Sequence, residues 1–246
     1  MADELKGEVV VITGGSSGIG DATAELCIEE NAKVVILDLE KPKSNKGGIF
    51  YKVDVSYEEQ VADAFERIEK EIGPVTALVN NAGISPKAVP SEDVNADEIL
   101  RTFSVNVFGV MYCNKYAIKQ MKEAGHGSIV NVSSVIGVVG SKNSAVYAAS
   151  KAAILGLTKA DAITYSSHNI RVNAVVPGYA KTPLIEKASM SSGDPSLYYD
   201  NLTKKHPIGR LAEPKEIAQA ILFLLSKRAS FVTGSEFVVD GGYTSA

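Results

Sequence analysis

The 246-residue chain has few of the side chains that bind metals or form covalent cross-links. Its two cysteines, Cys27 and Cys113, are far apart and both fall in predicted helices. We therefore expect two small core residues in a reducing compartment rather than a disulfide or a metal site. The three histidines, His126, His168 and His206, are scattered, which disfavours a metal centre or serine–histidine chemistry.

Clustered positive charge and long apolar runs are also absent. The formal net charge is -4, and the sequence has no Lys/Arg-rich run of the kind that binds nucleic acid or an anionic membrane. No apolar run approaches the length of a membrane span, and the N-terminus lacks the basic-then-apolar pattern of a secretion signal. These features predict a cytoplasmic protein with a small molecule, and neither nucleic acid nor membrane, as its partner.

Short β-branched runs alternate with helical segments along the whole chain, with no sign of a second domain. Strands are predicted over 8–12, 33–37, 48–53, 74–79, 127–133, 169–175 and 236–239. Helices are predicted over 21–30, 56–72 with Ser56 as the cap, 97–124, 145–166 and 214–226. The alternation predicts a single α/β domain over 1–246, with a mainly seven-stranded parallel sheet between two helical layers. Residues 183–207 are predicted to form a mobile lid with short helices.

A glycine-rich turn separates the first predicted strand from the first helix. Gly14, Gly18 and Gly20 occur in Thr-Gly-Gly-Ser-Ser-Gly-Ile-Gly, a Gly-x3-Gly-x-Gly spacing. Such a turn lets the backbone approach a pyrophosphate at the positive end of the following helix. Asp38 ends the second strand, where a carboxylate can accept hydrogen bonds from an adenosine ribose and would repel a 2′-phosphate. Since Leu39 follows instead of a basic residue, the sequence favours NAD over NADP.

Tyr147 and Lys151 lie four residues apart in a predicted helix, so both side chains project from one face. An ammonium about 4 Å from a phenol would favour the phenolate by up to roughly 4 kcal/mol, or about three pKa units. This pairing predicts a tyrosine that works as a general acid or base. Asn106 is unexpected inside a helix unless it has a task, and Gly109 would ease a kink there.

Six short motifs occur in a fixed order along the chain. They are Thr-Gly-x3-Gly-x-Gly at 13–20, Asn-Asn-Ala-Gly at 80–83, Asn106, Ser134, Tyr-x3-Lys at 147–151 and Pro-Gly at 177–178. Together they resemble the short-chain dehydrogenase/reductase family over essentially the whole chain. The resemblance implies a doubly wound Rossmann fold, an NAD(P) cofactor and a homotetramer.

The resemblance also implies a role for each matching position. It makes Tyr147 the proton donor or acceptor, and Lys151 the residue that binds the nicotinamide ribose and lowers the tyrosine pKa. Ser134, rather than Ser133, would orient the substrate oxygen, and Asn106 would hold a helix kink and a water linked to Lys151. The implied cofactor-binding residues are Gly14, Ser16, Ser17, Gly18, Ile19, Asp38, Leu39, Asp54, Val55, Asn81, Ala82, Gly83, Tyr147, Lys151, Pro177, Gly178, Ala180 and Thr182. The implied substrate-contacting residues are Ser134, Tyr147 and Tyr179.

Three functions are compatible with this pattern. The first is an NAD-dependent oxidoreductase that interconverts a secondary alcohol (a sugar, polyol, diol or cyclic alcohol) and its ketone. The second is a 3-oxoacyl-thioester reductase, or 3-hydroxyacyl dehydrogenase, but such enzymes usually use NADPH and present basic residues to a carrier protein. The third is a nucleotide-sensing or scaffolding protein on the same fold, which would be expected to lose members of the catalytic set.

Overall fold

The computed structural model describes residues 3–43 and 47–245. Seven strands form one sheet, every neighbouring pair is parallel, and the order is β3-β2-β1-β4-β5-β6-β7. The strands are β1 (Val9–Thr13), β2 (Lys33–Asp38), β3 (Ile49–Lys52), β4 (Ala77–Asn80), β5 (Gly127–Val132), β6 (Ile170–Pro177) and β7 (Glu236–Val239). Strand order reverses between β1 and β4, and this reversal opens a crevice at the carboxyl ends of the strands, the usual ligand position in such sheets.

The helices cover both faces of the sheet. They are α1 (Gly18–Glu29), α2 (Glu58–Glu71), α3 (Ala96–Phe103), α4 (Gly109–Ala124), α5 (Ile136–Val139), α6 (Ala145–Tyr165), α7 (Pro183–Met190), α8 (Pro195–Lys204) and α9 (Pro214–Leu225). On one face, Val10 of β1 packs in a core with Leu26 of α1 and Ile217 of α9. On the other, Val11 packs with Phe65 of α2. This three-layer arrangement confirms the predicted fold, and burial on both faces explains the β-branched runs.

The helix predicted over 97–124 is interrupted. A π-helical turn over Ser104–Phe108 separates α3 from α4, so the expected irregularity around Asn106 is present. The structure also explains why residue 109 is a glycine. A Cβ at this position would lie 2.9 Å from Cγ2 of Val55, so glycine is needed for the close approach of α4 to the segment after β3.

Several element ends differ from the sequence-based bounds. Ser56 does not cap α2, which begins at Glu58 with Tyr57 at the N-cap. Ser56 instead belongs to the preceding turn, where its N–H and its hydroxyl both donate to Asp54 Oδ1. The first helix starts at Gly18, three residues earlier than predicted, and β6 extends to Pro177. Within residues 183–207 the predicted short helices are α7 and α8, which we call the insertion helices.

Cys27 and Cys113 are buried thiols in α1 and α4, as predicted. Within residues 3–43 and 47–245, no group of histidine, cysteine and acidic side chains has the arrangement of a metal site. None of the helices in those ranges is long and apolar enough to span a bilayer.

Candidate active site

Tyr147 and Lys151 lie on one face of α6, as the spacing predicts. The Lys151 Nζ is 5.8 Å from the centre of the Tyr147 ring and donates a 2.8 Å hydrogen bond to the backbone oxygen of Val132, at the end of β5. Lys151 is 5% exposed, so its ammonium is almost fully removed from water. The strand end therefore fixes the lysine at the edge of the crevice.

The predicted lowering of the Tyr147 pKa does not occur in the protein alone. Burial raises the pKa of Tyr147 to about 12, although a hydrogen bond with the Ser134 side chain acts in the opposite direction. Burial also lowers the pKa of Lys151 to about 8. Desolvation disfavours the charged form of each group, and it is the largest cause of both pKa shifts. The sequence could not show this, because it gives the spacing of the pair but not its burial.

The structure separates the two candidate serines. The Ser133 hydroxyl is buried and donates to the backbone oxygen of Lys151 at 2.8 Å. The Ser134 side chain is half-buried, accepts the Ile136 N–H at 3.2 Å and acts to lower the pKa of Tyr147. Ser133 thus joins the end of β5 to the backbone of α6, whereas the Ser134 side chain acts on the Tyr147 phenol.

Asn106 lies in the π-helical turn next to the same site. Its Nδ2 donates to the Ile84 backbone oxygen at 2.9 Å and to Ser150 Oγ at 3.1 Å. A Cβ on Gly83 would lie 3.4 Å from Asn106 Oδ1 and 3.5 Å from Lys151 Nζ. Gly83, Asn106 and Lys151 are therefore brought together at the end of β4.

The glycine-rich turn forms a backbone cradle at the start of α1. A Cβ on Gly20 would lie 2.2 Å from the Gly14 carbonyl oxygen, and a Cβ on Gly14 would lie 2.9 Å from Ala82 Cα. Gly14 and Gly18 also have φ of 63° and 57°, which disfavour other residues. Ser17 is the N-cap of α1 without a side-chain cap hydrogen bond, and Ile19 is half-buried. This tight turn at a helix N-terminus fits a dinucleotide pyrophosphate.

The Asn-Asn-Ala-Gly motif supports the turn from the neighbouring strand. Asn81 Nδ2 donates to the Thr13 and Gly14 carbonyl oxygens at 3.1 and 2.9 Å, and the N–H groups of Asn81 and Ala82 donate to Thr13 Oγ1. Asn80 points away from the crevice, because its Nδ2 donates to buried Asn131 in β5 and Asn114 in α4. The motif thus ties β1, β4 and β5 together as well as bordering the crevice.

The two aspartates expected at the adenosine end close local turns. Asp38 Oδ2 accepts the Ser16 N–H at 3.0 Å, and Oδ1 accepts the Leu39 N–H at 2.7 Å. The Leu39 side chain is exposed. Asp54 Oδ1 accepts both donors of Ser56, and Val55 is buried behind it. Asp38 is therefore joined directly to the glycine-rich turn, at the end of β2.

The chain after β6 runs along the opposite side of the crevice. The Gly178 N–H donates to the Val239 oxygen at 3.0 Å, and the Lys181 N–H donates to the Ala212 oxygen at 2.9 Å. Ala180 forms a β-bridge with Ala212. A Cβ on Gly18 would lie 3.1 Å from Thr182 Cγ2, so this loop meets the glycine-rich turn. Residues 177–182, which we call the Tyr179 loop, therefore border the same crevice.

His206 is a residue of this region that the sequence did not single out. It is 3% exposed, and its Nε2 lies 3.1 Å from the Tyr179 backbone nitrogen. Tyr179 itself packs in one apolar cluster with Tyr147 and Tyr243. A lone histidine far from every motif gives no signal in the sequence, because the contact depends on how the insertion helices return to the sheet.

The parallel sheet has a glycine cradle, an acidic residue at the end of the second strand, and a half-buried tyrosine with a buried lysine beside a serine. These features define a dinucleotide-dependent oxidoreductase. A family model described as "Enoyl-(Acyl carrier protein) reductase" matches residues 14–244. With this match over nearly its whole length, the chain belongs to the short-chain dehydrogenase/reductase family, whose members use NAD(P).

Named relatives cover the whole chain. Cis-4-hydroxycyclohexanecarboxylate dehydrogenase of Sinomonas cyclohexanicum is 41% identical over 254 residues, which cover 100% of both chains. The NADP-dependent (R)-specific alcohol dehydrogenase of Lentilactobacillus kefiri is 40% identical over 258 residues, again 100% of both. The ligand-free structure of Thermoplasma acidophilum aldohexose dehydrogenase has a TM-score of 0.95 at 38% identity, covering 100% of this chain and 97% of that chain.

Proposed function

We propose that this protein interconverts a secondary alcohol and its ketone with NAD, using Tyr147 as general acid and base. The observation that carries the proposal is the placement of Lys151 Nζ 5.8 Å from the Tyr147 ring on one face of α6, with the Ser134 side chain acting to lower the Tyr147 pKa. Membership of an alcohol-acting oxidoreductase family supports the reaction type. Retention of Asn106, Ser134, Tyr147 and Lys151 argues against a purely nucleotide-sensing or scaffolding role.

The chain's own residues handle the proton and the substrate oxygen. In the oxidative direction Tyr147 Oη takes the alcohol proton, and Ser134 Oγ donates a hydrogen bond to the oxygen as its charge develops. When bound, the cofactor would supply a positive charge and an acceptor for the hydride of the carbinol carbon. Lys151, with its pKa lowered to about 8, can pass the proton onward at neutral to mildly basic pH. Asn106, hydrogen-bonded to Ile84, holds the neighbouring backbone in place.

The preference for NAD rests on the adenosine end of the crevice. The Asp38 carboxylate accepts the Ser16 N–H and would repel a 2′-phosphate. Ser16 and Ser17 stand where NADP-using relatives often place a basic residue. The L. kefiri relative is named as NADP-dependent, so the test below compares both nucleotides.

We also propose a homotetramer that packs through the long helices and the C-terminal strand. Met111 of α4 and Ile163 of α6 are apolar and exposed on these helices, whereas Ile154 is already buried within the protomer. Light scattering coupled to gel filtration should give four times the chain mass of 26.0 kDa, and a monomer would contradict this part.

The experiment that tests the function is a steady-state screen followed by the absorbance of NADH and NADPH. The arms are cyclic alcohols including cis-4-hydroxycyclohexanecarboxylate, aldohexoses and small diols, each with NAD⁺ and NADP⁺. A fourth arm uses a 3-hydroxyacyl thioester, because the matching family model is described by an acyl-carrier reductase. We expect turnover of a secondary alcohol with NAD⁺. A clear preference for the thioester with NADP⁺ would instead favour the acyl-thioester function.

A further inference from the structure

His206 joins the insertion helices to the Tyr179 loop through both ring nitrogens. Nδ1 lies 2.8 Å from the Leu202 backbone oxygen in α8, and Nε2 lies 3.1 Å from the Tyr179 backbone nitrogen. A carbonyl oxygen can only accept and a backbone N–H can only donate. The two contacts together require the neutral ring with its proton on Nδ1, which donates to Leu202 while Nε2 accepts from Tyr179.

The surroundings leave little room for the ring to move. A Cβ on Gly178 would lie 2.8 Å from His206 Nε2, so the glycine makes space for the imidazole. The ring meets Tyr179 edge-on at 5.9 Å and 81°, and it lies 5.4 Å from the centre of the Tyr243 ring. Asp240 packs against Gly178, and its carboxylate accepts the N–H groups of Gly242 and Thr244 in the C-terminal turn. His206 is thus fixed by the loop, by the insertion helices and by the C-terminal turn.

We propose that His206 is a positioning residue that sets the place of Tyr179 on the substrate side of the crevice. The proposal rests on the proposed function and on the contact between Tyr179 and substrate that the family resemblance implies. The bonds of Gly178 to Val239 and of Lys181 to Ala212 hold the two ends of the loop through backbone groups alone. Between them Tyr179 is held on both sides: its oxygen accepts the Ala212 N–H at 3.0 Å, and its N–H donates to the His206 side chain at 3.1 Å. A substitution at residue 206 therefore releases the N–H side of Tyr179 while the backbone bonds of the loop remain.

Two substitutions separate the two contacts. In His206→Asn the amide nitrogen can occupy the place of Nδ1 and donate to Leu202, but nothing reaches the Tyr179 N–H. In His206→Gln the amide oxygen can occupy the place of Nε2 and accept from Tyr179. We expect the Tyr179 amide to exchange with deuterium about tenfold faster in His206→Asn than in the wild type, and with little change in His206→Gln.

The kinetic readout follows the same pattern. For the best alcohol of the screen, we expect His206→Asn to raise KM about tenfold with kcat within about threefold, and His206→Gln to restore most of the KM. The KM for the nucleotide should stay within about threefold, because the loop ends remain bonded. Equal exchange at Tyr179 and equal KM values in the two variants would overturn the proposal.

A measurement on the unaltered protein guards against variants that fail to fold. In uniformly ¹⁵N-labelled protein, the His206 resonances should report a protonated Nδ1 and an unprotonated Nε2, with a scalar coupling between Nε2 and the Tyr179 amide nitrogen across the hydrogen bond. A proton on Nε2 would overturn the proposal. Neither this measurement nor amide exchange needs turnover, so a protein inactive on every alcohol would refute the proposed function while the placement of Tyr179 by His206 is still decided.

Discussion

Asn106 is bonded to both backbone groups of a single residue, Ile84. The Ile84 N–H donates to Asn106 Oδ1 at 2.8 Å, and Asn106 Nδ2 donates to the Ile84 oxygen at 2.9 Å. This two-way contact ties the π-helical turn to the segment that follows β4. An asparagine inside a helix is explained by this contact, because its amide completes the hydrogen bonding of an irregular strand end.

Replacing Asn106 with alanine should leave both backbone groups of Ile84 without partners. At about 1–3 kcal/mol for each of the two unsatisfied groups, we expect a loss of about 2–6 kcal/mol in the free energy of unfolding, measured with urea. Ser104→Ala is the matched control, since its hydroxyl bonds only the Leu100 oxygen of its own helix. If the two variants unfolded at the same urea concentration, the structural role of Asn106 would be wrong.

Gly20→Ala should disrupt the glycine cradle at the start of α1, because the added Cβ would lie 2.2 Å from the Gly14 backbone oxygen. We expect a loss of about 1–3 kcal/mol of stability and a nucleotide Kd at least about tenfold weaker by calorimetry. Gly156→Ala in α6 is the control. A Cβ there meets nothing within 4 Å, so helix propensity should leave stability unchanged or raise it by up to about 1 kcal/mol. Unchanged nucleotide binding in Gly20→Ala would contradict the cradle.

Asp38→Asn keeps an acceptor for the Ser16 N–H but removes the negative charge. We expect the ratio of kcat/KM for NAD⁺ to that for NADP⁺ to fall by about tenfold, since repulsion of a 2′-phosphate disappears. Asp54→Asn serves as the comparison, because it should change both nucleotides alike. The same nucleotide ratio in Asp38→Asn and in the wild type would show that specificity lies elsewhere.

The buried lysine gives a stability term that depends on pH. Its pKa falls from 10.5 in the unfolded chain to about 8 in the protein, so between these values the unfolded state binds more protons. Stability therefore rises with pH across that window, and the cost of burying the ammonium is fully present only below about pH 8. The unfolding free energy of the wild type minus that of Lys151→Met should rise by about 2 kcal/mol from pH 7.5 to 9.5. A difference that stays flat would mean that Lys151 is charged without penalty.

Motif order and strand periodicity were enough to predict the layered sheet and the close placement of Tyr147, Lys151 and Ser134. Boundaries were less predictable where a polar side chain bonds within a turn instead of capping the next helix. Ser56 is of a type that often caps helices, yet its N–H and hydroxyl bond to Asp54 and the helix begins one residue later, after Tyr57. The raised pKa of Tyr147 and the contact of His206 with Tyr179 could not be read from spacing, because both depend on burial and on distant segments meeting.

The most direct test of the account is the Tyr147→Phe variant, measured by turnover of the best alcohol and by calorimetric binding of NAD⁺. The substitution removes one hydroxyl and keeps the ring that packs with Tyr179 and Tyr243. We predict at least about a thousandfold loss of kcat with the nucleotide Kd within about threefold of the wild type. A variant that retains near wild-type turnover would contradict the assignment of Tyr147 as the acid–base residue.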